Sequence, residues 1–329
     1  MTHAGYQVEE RIRAGVLEAA DHYTAVASFG SFGTGPGQFN YPRAIAVDAI
    51  GHLVILDSSN ARVQRLDTSG VFVTAFGRYG SVNGQFTSPT ALAIDALGSL
   101  YITDGGNACV CRYDHTGKYQ RTFGGFGPGR GNFTLPSGVA VSDNGSMLVT
   151  DTNNTRVQVL DNEGRFVMQF GGTGTTASRL AAPLGIAIGF DNLVYVTDRD
   201  AGCVQVYTQD GEYVRKVASP GCGKGELLKP HGIALDRSGN MFVSDSGNHR
   251  IQVFDSQGAH LAQFGGRGAG AGRLFSPAGV AVDANGYAYV ADSHNHRIQI
   301  FAPSQTTKPT GLLAGIGLAA ANYLLRLKK

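Results

Sequence analysis

The string HNHR at 294–297 sets His294 and His296 in one turn, and the chain holds nine histidines, so the first chemistry to weigh is metal ligation. A zinc site needs three or four convergent ligands, with an open position where the metal is catalytic. Two histidines in one turn fall short of that. The four cysteines, Cys109, Cys111, Cys203 and Cys222, form no CxxC pair. Cys109 and Cys111 stand two apart on one expected strand, which disfavours a disulfide between them. No Ser–His–Asp set, P-loop or Rossmann fingerprint stands out, and the many GxG strings read as loop glycines. The expectation is a chain that is not an enzyme, with no cofactor and no metal.

Composition narrows the class. Of 329 residues, 42 % are hydrophobic, enough for a large core and against disorder. Gly is frequent at 47 residues and Trp is absent, a usage that suits many short strands joined by tight turns. The net charge of +2 excludes a simple polyelectrolyte binder. No secretory leader opens the chain, and the unpaired thiols suit a reducing compartment, so the cytoplasm is expected.

Any such residues must be positioned by a repeat. Pro42, Pro89, Pro136, Pro183, Pro230 and Pro277 follow one another at intervals of 47. Each unit holds four β-like runs; in the fifth these are GIALD, NMFVSD, RIQVFD and AHLAQFG. Four strands per repeat of this length predict the blades of a β-propeller. The sixth unit stops after three strands, and TAVASFG at 24–30 lies one period ahead of the corresponding run of the first unit. The fold class expected is all-β: a six-bladed β-propeller of four-stranded antiparallel blades, closed by the N-terminal strand so that no sheet edge is left bare. The expected divisions are residues 1–23, 24–302 and 303–329.

The pattern Pro-x-Gly-x-Ala-Val-Asp, a strand ending in Asp, and Asn-His-Arg-Ile-Gln-Val-Phe resembles the NHL repeat over residues 24–302. That resemblance implies a six-bladed propeller. One related group, the peptidyl-hydroxyglycine amidating lyases, brings histidines from several blades to the channel mouth. Here the residue after each blade-starting proline is Arg43, Thr90, Ser137, Leu184, His231 or Ala278. A single histidine cannot make that metal site, so a metal-dependent lyase or hydrolase at the channel ranks last. The NHL domains of tripartite-motif proteins read RNA hairpins on one face; the RING, B-box and coiled-coil parts that accompany them are not in this sequence.

Recurrent residues read as scaffold. Asp57, Asp104, Asp151, Asp198, Asp245 and Asp292 end second strands and suit turn N–H groups. Asn60, Asn107, Asn154, Asn248 and Asn295 suit positive φ, and Arg62, Arg156, Arg250 and Arg297 suit pairing with the aspartates. Departures mark blade four: Cys203 replaces the arginine, Ala201 the asparagine, and ASPGCGKGE (218–226) replaces the usual connector. Cys109 replaces the arginine in blade two.

Sorting the other charges by loop separates two faces. The connector face carries Arg43, Arg78, Arg130, Arg179, Arg199, Lys224, Lys229, Arg267 and Arg273 against Asp200 and Glu226. The opposite face carries thirteen acids, many of them hairpin-turn aspartates. Tyr41, Tyr79, Phe126 and Phe275 lie among the basic residues. The candidate binding set is therefore Arg43, Arg78, Tyr79, Phe126, Arg130, Arg179, Arg199, Lys224, Lys229, His231, Arg267 and Arg273. Arginine with exposed aromatics suits an acidic protein, the expected partner of a monomeric scaffold propeller, and suits RNA as the alternative.

At the ends, residues 7–20 show the periodicity of a short amphipathic helix. The run Gly311–Leu325 is fifteen apolar residues flanked by Lys308, Arg326, Lys328 and Lys329, short of the roughly 20 that span a bilayer. A packed or interfacial C-terminal helix is expected, with a membrane tail anchor through residues 311–327 as the alternative.

Overall fold

The computed structural model describes residues 23–172 and 176–304. The expected terminal helices fall outside these residues. Among the described residues, no helix is long and apolar enough to cross a membrane.

Six sheets of four antiparallel strands form the blades of a propeller. Five of the periodic prolines open an inner strand: Pro42–Val47, Pro89–Ile94, Pro136–Val141, Pro183–Ile188 and Pro230–Leu235. Proline suits the first position of a strand because no ladder donor is needed there. In the sixth blade the inner strand is shorter, Val280–Val282, and begins three residues beyond Pro277. Closure occurs as the repeat predicts. Tyr23–Phe29 lies outside Arg297–Pro303, with Tyr23 opposite Pro303 and Phe29 opposite Ile298.

The second strand of every blade is apolar almost throughout, as in LVILD (53–57), because neighbouring blades cover both its faces. Outer strands such as Phe72–Phe76 alternate half-buried and exposed positions. The core is therefore distributed: six apolar clusters, one at each blade junction. Phe39, Phe86 and Phe133 repeat one period apart and are each fully buried, supplying the bulk that Trp would otherwise provide.

Around the channel the inner strands nearly touch. A Cβ on Gly138 would lie 2.1 Å from the Leu184 carbonyl oxygen, and one on Gly185 2.4 Å from that of His231. This is the physical reason for Gly two residues after the proline. Side chains also stitch blade to blade: the Thr150 hydroxyl donates to the Leu184 carbonyl at 2.7 Å, and the Thr197 hydroxyl to that of His231 at 2.6 Å.

Candidate functional site on the connector face

Each blade presents to this face the loop between its second and third strands and the connector that enters it. A buried clamp joins the two. In the first blade Asp57, fully buried, accepts from the Asn40 N–H at 2.7 Å, Asn60 Nδ2 at 2.9 Å and Arg62 Nε at 2.8 Å. Arg62 Nη2 then donates to the carbonyls of Gly35 and Gln38, both at 2.9 Å. The pairs Arg156–Asp151, Arg250–Asp245 and Arg297–Asp292 repeat this at 3.0, 2.8 and 2.7 Å. The recurrent charges are consumed in holding connectors.

Two details differ from the sequence reading. Positive φ falls one residue after the asparagine, on Ala61, Ala108, Thr155, His249 and His296; the asparagine instead spends its amide on Asp and on a connector carbonyl. A buried glutamine column, Gln64, Gln158, Gln205, Gln252 and Gln299, also belongs to the clamp. Gln64 accepts from the Gly37 N–H at 3.0 Å and donates to the Gln38 carbonyl at 2.6 Å. A polar residue in a strand carries no signal of burial, so these were not singled out.

Blade two lacks the clamp arginine and glutamine, with Cys109 and Cys111 in their places and their sulfurs 3.9 Å apart. Its Asp104 keeps the clamp asparagine, Asn107 Nδ2 at 2.8 Å, and accepts from the backbone N–H groups of Thr87, Ser88, Gly106 and Asn107. The unusual loop after blade four is regular in shape. Pro220 pairs in parallel with Leu227, where other connectors pair Phe32 with Phe39 and Tyr79 with Phe86. Gly221 keeps the φ of 158° that Gly33 shows at 154°, so the departure is in sequence and not in backbone.

The remaining basic residues behave differently from the clamp. Arg43, Arg78, Arg130, Arg179, Lys224, Lys229, Arg267 and Arg273 are all exposed. Among the described residues none of these eight forms an ion pair; of the nine, only Arg199 does, with Asp200 at 2.8 Å. On the acidic side Arg65, Arg112, Arg121 and Arg165 are paired with Asp48, Asp95, Glu163 and Asp161. Those aspartates are also tied to their turns, as where Asp48 accepts from the N–H groups of Ile50 and His52. The connector face is where unpaired positive charge collects.

The structure gathers some of these residues and spreads the rest. Arg43 and Arg199 lie close enough to His231 for their positive charge to act on it. Lys229 acts similarly on Asp200. Of these, Arg43 and His231 line the cavity at the channel mouth. Burial, then Arg43, then Arg199 push His231 down to about 4, leaving a neutral imidazole at physiological pH. Arg78, Arg130, Arg179 and Arg273 sit on separate connectors around the rim. Arg130 covers the Phe166 ring at 5.2 Å, and Arg267 covers Phe275 at 5.5 Å. Phe32, Tyr79 and Phe126 occupy the same position in three successive connectors, with 66, 74 and 79 % of their surface exposed.

The histidines of the HNHR string serve a ring seam. His296 accepts from the Tyr41 N–H at 3.1 Å and His249 from the Ser276 N–H at 3.0 Å, each through Nδ1. Rings pass from Phe32 to His296, Tyr41, His294, Phe275 and His249, every step between 4.7 and 5.3 Å. Among the described residues, no group of three or more His, Cys, Asp or Glu side chains converges as a metal site.

Residues 39–66, 133–160, 227–254 and 276–301 each match the NHL repeat family model. No curated protein matches the chain. Similar folds occur in a streptogramin B lyase, 14 % identical, covering 87 % of this chain and 100 % of that one, at a TM-score of 0.60. A gluconolactonase from Xanthomonas campestris is 17 % identical, with 86 % and 89 % covered and a TM-score of 0.61. An auxiliary nutrient binding protein from Bacteroides thetaiotaomicron is 14 % identical, with 86 % and 76 % covered and a TM-score of 0.62. The expectation that the chain is not an enzyme is corrected by these comparisons, since propellers of this fold are named as a lyase and a gluconolactonase. The physical reason is that a propeller assembles a site from single residues of different blades, so a missing sequence constellation excludes nothing. Four matched repeats set in a closed ring of six blades make this chain a member of the NHL-repeat β-propeller family.

Proposed function

We propose that the connector face recognises an acidic segment of a partner protein. One observation carries the reading: eight of the nine non-clamp basic side chains are exposed without an ion pair, on the face opposite the one that carries most of the acids. Unmatched charge of one sign steers an oppositely charged partner and sets its register. The exposed rings Phe32, Tyr79 and Phe126 stand one per blade. That spacing offers separate apolar footholds for a peptide and not the continuous stack that successive bases use.

The test uses the full chain, a fluorescent poly-glutamate peptide and a uridine-rich RNA of equal charge, read by anisotropy against salt. The reading expects the peptide to bind more tightly. The triple variant Arg78→Glu, Arg130→Glu, Arg273→Glu should lose that binding with its circular dichroism unchanged. Tighter RNA binding, or a variant that binds the peptide as well as the parent, overturns it.

A second reading is favoured by His231. A neutral imidazole beside two guanidiniums, which oppose its protonation, is equipped to donate its N–H to a carbonyl oxygen of a bound anionic substrate. This reading places catalysis at the channel mouth, in the same fold that a lyase and a gluconolactonase use. Loss of turnover of a candidate lactone or ester in His231→Gln, with binding retained, would support it; unchanged turnover would remove it.

A further inference from the structure

The channel mouth holds an uncompensated cation. Arg43 keeps its side chain in reach of solvent; it has no ion pair and no hydrogen bond among the described residues, and the protein packed beside it lowers its pKa. His231, half-buried, has no side-chain hydrogen bond there either. Both line a cavity of about 70 Å³ at the channel mouth, together with Thr90 and Ser137. The two hydroxyls are already committed: Thr90 donates to the Pro136 carbonyl at 2.9 Å, and Ser137 accepts from Thr152 at 2.7 Å. No carboxylate lines the cavity, whose lining also includes Ile45, Leu92 and Ile233.

An unpartnered guanidinium lining a narrow cavity is free to take a planar anion in two parallel bonds. Each feature narrows the anion. A single unpaired guanidinium beside a neutral imidazole matches one negative charge and not the near-double charge of a phosphate. The volume admits a few water molecules' worth of matter, far below the 300 Å³ or more of a drug-sized pocket. The aliphatic residues among the lining leave room for a short carbon stem. We propose that the channel mouth is a binding site for a monocarboxylate, its head forked by Arg43, its second oxygen accepting from His231 N–H, and its stem against Ile45, Leu92 and Ile233.

Two sources supply such a group: a free short-chain acid, and a carboxylate projecting from the acidic segment proposed above. The site stands without that segment. Isothermal titration of the full chain with butyrate, butyramide and inorganic phosphate, in buffer free of other carboxylates, tests it. Butyrate should bind, with butyramide and phosphate at least tenfold weaker. Arg43→Gln should weaken butyrate at least tenfold, and Arg43→Lys by less, since it keeps the charge and loses the fork. The rim variant Arg78→Glu, Arg130→Glu, Arg273→Glu should bind butyrate as the parent does, so failure at the rim and failure at the channel are read separately. Displacement of the poly-glutamate peptide by butyrate assigns the site to the segment, and simultaneous binding assigns it to a free acid; both support the site. Equal binding of butyrate and butyramide, no effect of Arg43→Gln, or no butyrate binding to folded parent at about 10 mM overturns it.

Discussion

Replacing Arg156 with Met should destabilise the whole ring. Arg156 and Asp151 form the most enclosed of the clamps, with side chains 8 % and 0 % exposed. The guanidinium reaches Asp151 at 3.0 Å, Gln169 Oε1 at 2.8 Å, and the carbonyls of Gly129 and Asn132 at 3.0 Å each. Methionine fills similar volume but leaves a buried carboxylate without its countercharge. Asp151 would keep the Thr134 N–H at 2.9 Å and Asn154 Nδ2 at 2.7 Å. Removing one partner of a buried pair costs about 3–5 kcal/mol; with those two neutral donors remaining, about 3 kcal/mol is expected. The control is Arg121→Met, whose pair with Glu163 at 2.8 Å is 52 % and 56 % exposed, and which should change stability by no more than about 0.5 kcal/mol. Urea unfolding at 25 °C and pH 7, with the slope against urea unchanged, gives both values. Adding Asp151→Asn to Arg156→Met should recover part of the loss, because the stranded charge is gone. If Arg156→Met costs no more than Arg121→Met, the clamp is not what holds the connectors.

Two other outcomes follow from the channel. His231 is pushed down to about 4 by burial first and then by Arg43 and Arg199. A histidine depressed on folding leaves stability intact above its ordinary value near 6.5 and removes it as pH falls to about 4, a loss on the order of 3 kcal/mol across that window. Thermal melts of the parent between pH 7 and 4 should therefore fall more steeply than those of His231→Gln, and parallel slopes would count against a buried neutral imidazole. Gly138→Ala should cost about 2 kcal/mol or more through overpacking, because the new methyl would meet the Leu184 carbonyl oxygen at 2.1 Å and the Thr150 hydroxyl at 2.9 Å; an unchanged melting temperature would show that the inner strands have room to part.

Much of the ring was legible because repetition turns weak local signals into columns. A proline every 47 residues fixed where strands begin, and the orphan strand at 24–30 could be matched to a missing place by period alone. The aspartate and arginine columns were legible for the same reason, since charges that recur in structurally equivalent places serve the structure. What the sequence hid was hidden for physical causes. Positive φ fell on Ala61, Thr155 and His296, which carry no propensity signal for it. The glutamine column was silent because its partners are backbone carbonyls of a distant connector. The loop at 218–226 looked irregular in letters, yet it kept a glycine where φ nears 158° and so kept its shape. Arg43 and His231 were both named from sequence, but that the ring brings the first blade's charge to bear on the fifth blade's imidazole could not be counted along the chain.

The site therefore lies where repetition fails. A column filled alike in all six blades surrounds the axis with equal groups, and such groups can hold a ring but cannot orient an asymmetric ligand. The column after the prolines is the least repetitive facing the channel: Arg43, Thr90, Ser137, Leu184, His231 and Ala278 share neither charge nor size. Its backbone is nevertheless fixed by the most repetitive contacts in the molecule, the glycine approaches and threonine bonds between inner strands. A rigid frame carrying unlike side chains gives one charged side and one imidazole side at a fixed separation. Such preorganisation lets a small anion be held without an ordering cost in the protein. The same argument explains why the rim basic residues, each on its own connector and none sharing a clamp, suit an extended partner laid across several blades, while the channel suits a single group.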